Sequence, residues 1–139
     1  MAALITRRST QRHSGGGPER VFEVAMAAST TIHQGALVGQ NASGLLVPMT
    51  AATGLRAIGR AEQSLTSGVG QNPRMRVSTG VFGWSNDAGD LVTSAARGAV
   101  CYASDDQTVS ITSTGKSVAG VVIDLDGTTV WVNVGAEQK

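Results

Sequence analysis

The sequence has few of the residues that usually build disulfides, metal sites or membrane spans. It contains one cysteine, Cys101, which cannot form an internal disulfide or a cysteine-based zinc site and favours a reducing compartment. No apolar run approaches roughly 18 residues, so we expect no transmembrane helix. Ala2 to Ile5 is too short for the apolar part of a signal peptide, and arginines follow it rather than precede it. We therefore expect a chain that is made in the cytoplasm and needs no export.

Side chains suited to acid–base or nucleophilic catalysis are also scarce. The two histidines are His13, in a polar N-terminal stretch, and His33, in a predicted loop, while Cys101 lies in an apolar strand pattern. General acid–base catalysis needs a positioned group with a tuned pKa, and no segment supplies the supporting residues. We predict that the chain is not an enzyme and has no catalytic residues; the alternative is a small hydrolase that uses Cys101 or His33.

Acidic pairs occur only in patterns typical of turns. Asp124-Leu125-Asp126-Gly127 begins like a calcium-binding loop, but the twelfth position is Gly135 where a bidentate glutamate is required. Asp105-Asp106 also reads as a turn, with a weak chance of cation binding together with Asp87 and Asp90. We therefore predict no metal and no cofactor.

The residues that are abundant favour β-structure. Val and Thr together number 30 and Leu only 8, and there are 18 glycines for tight turns. A length of 139 residues suits one domain with a modest core. The predicted fold class is all-β: a small β-barrel or sandwich of short antiparallel strands and hairpins, with an extended N-terminal arm.

Local patterns place several of these strands. Residues 74–78 alternate polar and apolar side chains, as in a half-buried strand. Residues 35–39 and 44–48 flank a short polar turn, which predicts a hairpin. Asp126-Gly127 between two apolar runs predicts a second hairpin, in which Val130, Val132 and Val134 share one face and Trp131 lies on the other.

Positive charge is concentrated at the start of the chain. Residues 1–20 carry four arginines against one glutamate, whereas residues 21–139 carry seven basic and nine acidic residues. Gly15-Gly16-Gly17-Pro18 separates this basic stretch from the rest of the chain. We predict a flexible basic arm at 1–20, a β-rich body at 21–135 and a frayed end at 136–139. The arm either remains a disordered tail or orders on a neighbouring subunit.

Two sets of residues are candidates for contact with a partner. In the arm these are Arg7, Arg8, Arg12 and Arg20; in the body, Phe82, Trp84 and Trp131 are aromatics suited to an interface or to the core. Four arginines on one arm make too few phosphate contacts for a strong nucleic-acid site. We therefore predict a protein partner, and neither nucleic acid nor membrane.

Five stretches of the body resemble a known family. They are residues 51–62, 77–86, 100–109, 119–127 and 130–132, including Val77-Ser78-Thr79-Gly80-Val81-Phe82-Gly83-Trp84 and Ala119-Gly120-Val121-Val122-Ile123. The chain resembles the capsid cement or decoration proteins of Mu-like tailed phages and prophages, over most of the body and least over the arm. The resemblance implies a β-barrel-like body that binds the major capsid protein on the outer surface of the virion, commonly as a homotrimer, with no catalytic residues.

A second function fits the same composition. The chain would then be a virion-displayed module that binds a host surface or a carbohydrate, with exposed aromatics such as Trp84 forming a platform for sugar rings. This alternative requires that aromatic rings such as the indole of Trp84 be accessible.

Overall fold

Short strands make up nearly all the regular structure in the residues that the computed structural model describes, which are 2–10 and 20–135. The first seven are β1 (Val21–Ala25), β2 (Thr31–Ile32), β3 (Leu37–Gln40), β4 (Leu46–Pro48), β5 (Arg56–Ala61), β6 (Leu65–Thr66) and β7 (Arg74–Ser78). The others are β8 (Gly80–Asn86), β9 (Val100–Ala103), β10 (Thr108–Ser110), β11 (Val118–Asp126) and β12 (Thr129–Val134), with one 3₁₀ turn at Ser94–Ala96. The predicted all-β class is confirmed.

Two parts of the predicted organisation fall outside the described residues. These are the C-terminal end at 136–139 and, in the predicted arm, residue 1 and residues 11–19, Arg12 included. Across 2–10 and 20–135, no helix has the length and apolar character needed to cross a membrane.

The N-terminal half forms a curled five-stranded sheet. Its strand order is β1-β7-β5-β3-β4, and every neighbouring pair is antiparallel. Met26, directly after β1, forms an isolated parallel bridge with Leu46 of β4, so that the two outer strands come together at one point. β2 and β6 form a separate antiparallel ribbon. The sheet therefore wraps around a core of its own.

The C-terminal half is a closed barrel with strand order β10-β8-β12-β11-β9, in which β9 also pairs with β10. All of its pairs are antiparallel except β8 with β10, which are parallel. Strand directions cannot alternate all the way round a ring of five, so at least one parallel pair is unavoidable. This pair is a departure from the antiparallel strands predicted from the sequence, and it follows from the odd strand number.

Strands β3 and β5 lie between two hydrophobic cores. Leu37 and Ala57 pack into the barrel core, whereas their neighbours Val38 and Ile58 pack into the core of the curled sheet. Because successive side chains of a strand point to opposite faces, each strand supplies both cores. A strand that is buried on both faces carries an apolar run rather than an alternating pattern, as residues 35–39 do.

Both predicted hairpins are confirmed. β3 pairs with β4 across a turn in which Asn41 Oδ1 accepts the amides of Ser43 and Leu45, at 2.9 and 3.1 Å. β11 pairs with β12, and Gly127 has φ +61° in the connecting turn, a conformation that favours glycine. These local turn signals were sufficient to identify the hairpins from the sequence.

The two faces of β12 differ as predicted. Val130, Val132 and Val134 are buried in the barrel core, whereas Trp131 is only partly buried on the outer face. Trp131 pairs with Gly83 of β8, and a β-carbon at Gly83 would lie 3.0 Å from the indole ring. The ring therefore covers the bare backbone of Gly83 on the outside of the barrel.

Gly59 in β5 offers a test of this packing. A β-carbon there would overlap the carbonyl oxygen of Ser78 and lie 2.9 Å from Val77 Cγ1. We expect Gly59→Ala to lower the free energy of unfolding by about 1–3 kcal/mol, as overpacking does. Gly89→Ala is the matched control, because its β-carbon would meet no atom closer than 3.5 Å, and we expect a change of about 0.5 kcal/mol or less. Urea unfolding of both variants measures the difference; equal midpoints would contradict the close contact at Gly59.

Candidate functional site

Residues 2–10 lie against the body of the protein, and we call them the strap. The amide of Leu4 donates to Asp106 Oδ1 at 2.7 Å, and the amide of Arg8 donates to the carbonyl of Gln34 at 2.8 Å. The Leu4 side chain packs against the core of the curled sheet. The described half of the predicted arm is therefore anchored by backbone and side-chain contacts in this structure.

The strap rests on two turns, Gln34–Gly35 between β2 and β3 and Asp105–Gln107 between β9 and β10, which we call the docking site. Gly35 has φ +92°, and a β-carbon there would overlap the carbonyl oxygen of Arg8. Glycine is therefore required both by the turn and by the closeness of the strap.

The acidic turn at 105–107 is fixed to both halves of the fold. Asp105 Oδ1 accepts the amide of Gln107 at 3.0 Å, which closes the turn. The amide of Leu37 in β3 donates to the carbonyl of Asp106 at 2.8 Å, and the amide of Ser85 in β8 donates to that of Gln107 at 2.9 Å. The position of the strap is thus set by the sheet and the barrel together.

Two buried carboxylates lie at this junction, within electrostatic range of one arginine. Asp105 and Asp106 are 7% and 4% exposed, and the charge of half-buried Arg8 acts on both of them. Burial lowers the pKa of Arg8, and the two carboxylates oppose that effect; arginine stays protonated in any case. Burial also raises the pKa of Asp106, and the neighbouring Asp105 adds to the rise. Buried charges of one sign are tolerated when opposite charge and hydrogen bonds compensate them, which makes Arg8 the central residue of the strap.

Hydrogen bonds around this charge cluster are unevenly distributed. Arg8 Nη1 donates to Gln107 Oε1 at 3.1 Å, and Gln107 Nε2 donates to the carbonyl of Ala2 at 2.7 Å. Within the described part of the chain, Asp105 Oδ2 is buried without a hydrogen-bond partner. Leaving a buried acceptor unpaired is costly, and the attraction between Asp105 and the positive charge of Arg8 offsets part of that cost.

The end of the strap is held by a second polar group. Thr10 is buried, and its Oγ1 donates to the carbonyl of Gly35 at 2.6 Å, while its own carbonyl accepts from Arg60 Nη1. Arg60 forms an ion pair with Glu62 at 2.7 Å and lies over the ring of Phe82, 4.4 Å from its centroid. The strap is therefore fixed at both ends, near Leu4 and at Thr10.

The arginines predicted as partner contacts have different surroundings. Arg7 and Arg8 lie together on the strap, but the Arg7 side chain is exposed, and among the described residues it makes one hydrogen bond, to Gln34 Oε1 at 3.2 Å. Arg20 is exposed at the entrance to β1, where its amide donates to Thr79 Oγ1 at 3.0 Å. Arg12 lies outside the described residues.

The predicted aromatics divide between core and surface. Phe82 and Trp84 are both fully buried in the barrel, with an edge-to-face contact at a centroid separation of 6.3 Å and an interplanar angle of 73°. The expectation of an exposed Trp84, given as an example under the carbohydrate-binding alternative, is therefore wrong. Only Trp131 of the three reaches the surface, where it covers Gly83.

The remaining candidates for chemistry lie apart from the strap or inside the fold. Burial raises the pKa of the Cys101 thiol to about 12. Asp87 accepts a hydrogen bond from Ser104, and Asp90 accepts from Thr112 and Lys116. In residues 2–10 and 20–135, no three His, Cys, Asp or Glu side chains are grouped so as to hold a metal ion.

The contribution of Arg8 is tested by hydrogen exchange. We expect Arg8→Ala to lower the protection of the Leu4 amide about tenfold or more, because the guanidinium donates to the carbonyl and to Oε1 of Gln107 and a hydrogen bond to a charged group contributes about 1.5–3 kcal/mol. Arg7→Ala is the matched control, and we expect it to leave that protection nearly unchanged. Equal loss of protection in the two variants would contradict the assigned difference.

The raised pKa of Asp106 gives a pH dependence with a definite sign. A carboxyl group whose pKa is higher in the folded than in the unfolded state stabilises the folded protein at pH values below its ordinary pKa, here 3.8. That stabilisation is lost as the pH rises through the pKa of the folded state. We therefore expect the free energy of unfolding of the native chain, relative to Asp106→Asn, to fall as the pH rises above about 3.8. Urea titrations across this range measure it.

Asp90 is the control for that titration. Hydrogen bonds from Thr112 hold the pKa of Asp90 below its ordinary value, so the contribution of Asp90 is present at neutral pH and lost as the pH falls. The free energy of unfolding of the native chain, relative to Asp90→Asn, should therefore rise with pH. If the free energy of unfolding changed with pH in the same direction relative to Asp106→Asn and to Asp90→Asn, the opposite pKa shifts assigned to the two groups would be refuted.

Comparisons of this chain with protein-family models, with curated proteins and with solved structures find no match. The resemblance to phage decoration proteins seen in the sequence therefore stays a prediction. Any function has to be inferred from the strap, its docking site and the two cores that hold them.

Proposed function

We propose that this chain is a virion structural protein that binds the outer surface of a phage capsid shell and stabilises it. The observation that carries the proposal is the strap: a basic segment anchored at Leu4, Arg8 and Thr10 that leaves Ile5 83% exposed and Arg7 in solvent. An apolar and a cationic side chain presented from an ordered segment are suited to contact with another protein, and little further ordering entropy is lost on binding.

The body supports the proposal through its construction. β3 and β5 supply two cores at once, so the sheet and the barrel form one continuous packed unit. A protein that clamps a shell has to transmit force without deforming, and closely packed interiors have low compressibility. The partner in this proposal is the major capsid protein, and the site of action is the outer face of the virion.

Self-association is part of the proposal. Val69 and Leu91 are 91% and 54% exposed, and Val21 is 56% exposed on the outer strand β1. Covering such apolar surface in a closed homotrimer would add to the stability of a body whose core holds few aromatic side chains. Light scattering of the purified chain distinguishes a trimer from a monomer.

No structural observation favours the host- or carbohydrate-binding alternative. The example given for its exposed aromatics was Trp84, whose side chain is fully buried in the barrel. Sugar recognition by stacking requires an accessible aromatic face, and Trp84 does not provide one.

Capsid attachment is measured by co-sedimentation with shells assembled from the major capsid protein that is encoded with this chain. We expect saturable binding and additional density on the outside of the shell in electron micrographs. Absence of both would refute the proposed function.

The part played by the strap is tested by charge reversal. We expect Arg7→Glu to weaken capsid binding about tenfold, equivalent to roughly 1.4 kcal/mol, and the binding of the native chain to weaken as salt is added. Arg56→Glu is the matched control, because Arg56 is likewise exposed but lies at the start of β5. Equal capsid binding by Arg7→Glu and Arg56→Glu would show that the strap is not part of the interface. It would not bear on binding through the body, which the co-sedimentation experiment tests separately.

A further inference from the structure

The contacts that hold the strap do not depend on its covalent connection to the body. Its anchoring hydrogen bonds go to the Gln34–Gly35 turn, the Asp105–Gln107 turn and Arg60. The chain re-enters the body at Arg20, which is held separately by Thr79. An identical strap from another molecule could form the same hydrogen bonds.

We infer that the docking site is a receptor for residues 2–10 and accepts this segment from a second copy of the chain as well as from its own. The two arrangements share every contact, so they differ only in how readily the strap reaches the site. This inference concerns contact between copies and does not rest on capsid binding.

The acidic turn gives the site its selectivity. Asp105 and Asp106 are more than nine-tenths buried, and Asp105 Oδ2 has no hydrogen-bond partner in the described part of the chain. A buried carboxylate without opposite charge is strongly unfavourable, so an occupant must bring a cation to the position of Arg8. It must also bring an amide to Asp106 and a hydroxyl to the carbonyl of Gly35, as Leu4 and Thr10 do.

The length of chain between the strap and the body limits how far the strap can extend from its own body. Residues 11–19 number nine and include Gly15, Gly16 and Gly17, and a stretch of nine residues spans at most about 30 Å. A short covalent tether gives an effective local concentration in the millimolar range. A chain in dilute solution should therefore retain its own strap, whereas copies held side by side at comparable local concentration should exchange theirs.

Receptor activity is tested with a labelled peptide of residues 1–10 and full-length chains. The full-length Arg8→Glu chain retains the docking site but places a negative charge against the acidic turn. We expect the native peptide to bind this chain saturably at 1:1, at least tenfold more tightly than it binds the native chain, whose own strap competes. A peptide carrying Arg8→Glu should not bind. Fluorescence anisotropy measures all three.

Three results would overturn the inference: no saturable binding to the Arg8→Glu chain, equal affinity for that chain and the native chain, or equal binding by the two peptides. Far-UV circular dichroism checks that the variant is folded. If Arg8→Glu fails to fold, the full-length Thr10→Ala chain replaces it with the same expected order of affinities, because it removes only the hydrogen bond to Gly35.

Exchange between copies is tested by mixing two full-length variants. Arg8→Glu has an intact site and a defective strap, whereas Gly35→Ala has an intact strap and a site blocked by its new β-carbon. On mixing near millimolar concentration, we expect light scattering to show a mass above that of either variant alone. The increase should disappear when the Gly35→Ala chain also carries Arg8→Glu, which separates strap exchange from any association of the bodies. If the mass measured by light scattering for the mixture equals that expected from the two variants measured separately, exchange of the strap is refuted.

Discussion

The burial of β3 on both faces is the constraint on which the other features depend. Leu37 faces the barrel and Val38 faces the curled sheet, so this strand cannot move without disturbing both cores. The same strand begins just after Gly35, and its first amide, that of Leu37, binds the carbonyl of Asp106. The two turns that receive the strap are therefore held in register by the packing of one short strand.

Much of the fold could be predicted because its signals are local. The polar turn after β3 and the Asp126-Gly127 pair identified two hairpins, and alternation identified β7. The division into two cores could not be predicted, because burial of both faces removes the alternation that would assign β3 and β5 to a layer. Trp84 was equally ambiguous, since an indole in a strand pattern suits a core and a surface alike.

Only part of the candidate site could be predicted from the sequence. The concentration of arginine near the start of the chain indicated a contact segment, and Asp105-Asp106 was recognised as a turn. Their meeting depends on closure of the barrel beside the curled sheet, which brings together residues about a hundred positions apart, such as Leu4 and Asp106. No pattern within either segment carries that information.

The order of strands in the barrel also has a consequence for synthesis on the ribosome. Every strand of the curled sheet precedes Thr79, so that sheet can form while the chain is still growing. The barrel cannot, because β8 pairs along its length with β12, which ends at Val134. Until the C-terminal strand emerges, the barrel-facing sides of β3 and β5 have no core to cover them. Such long-range pairing is slow and exposed to aggregation, so the nascent half-protein is the stage at which this chain exposes the most unpaired apolar strand surface.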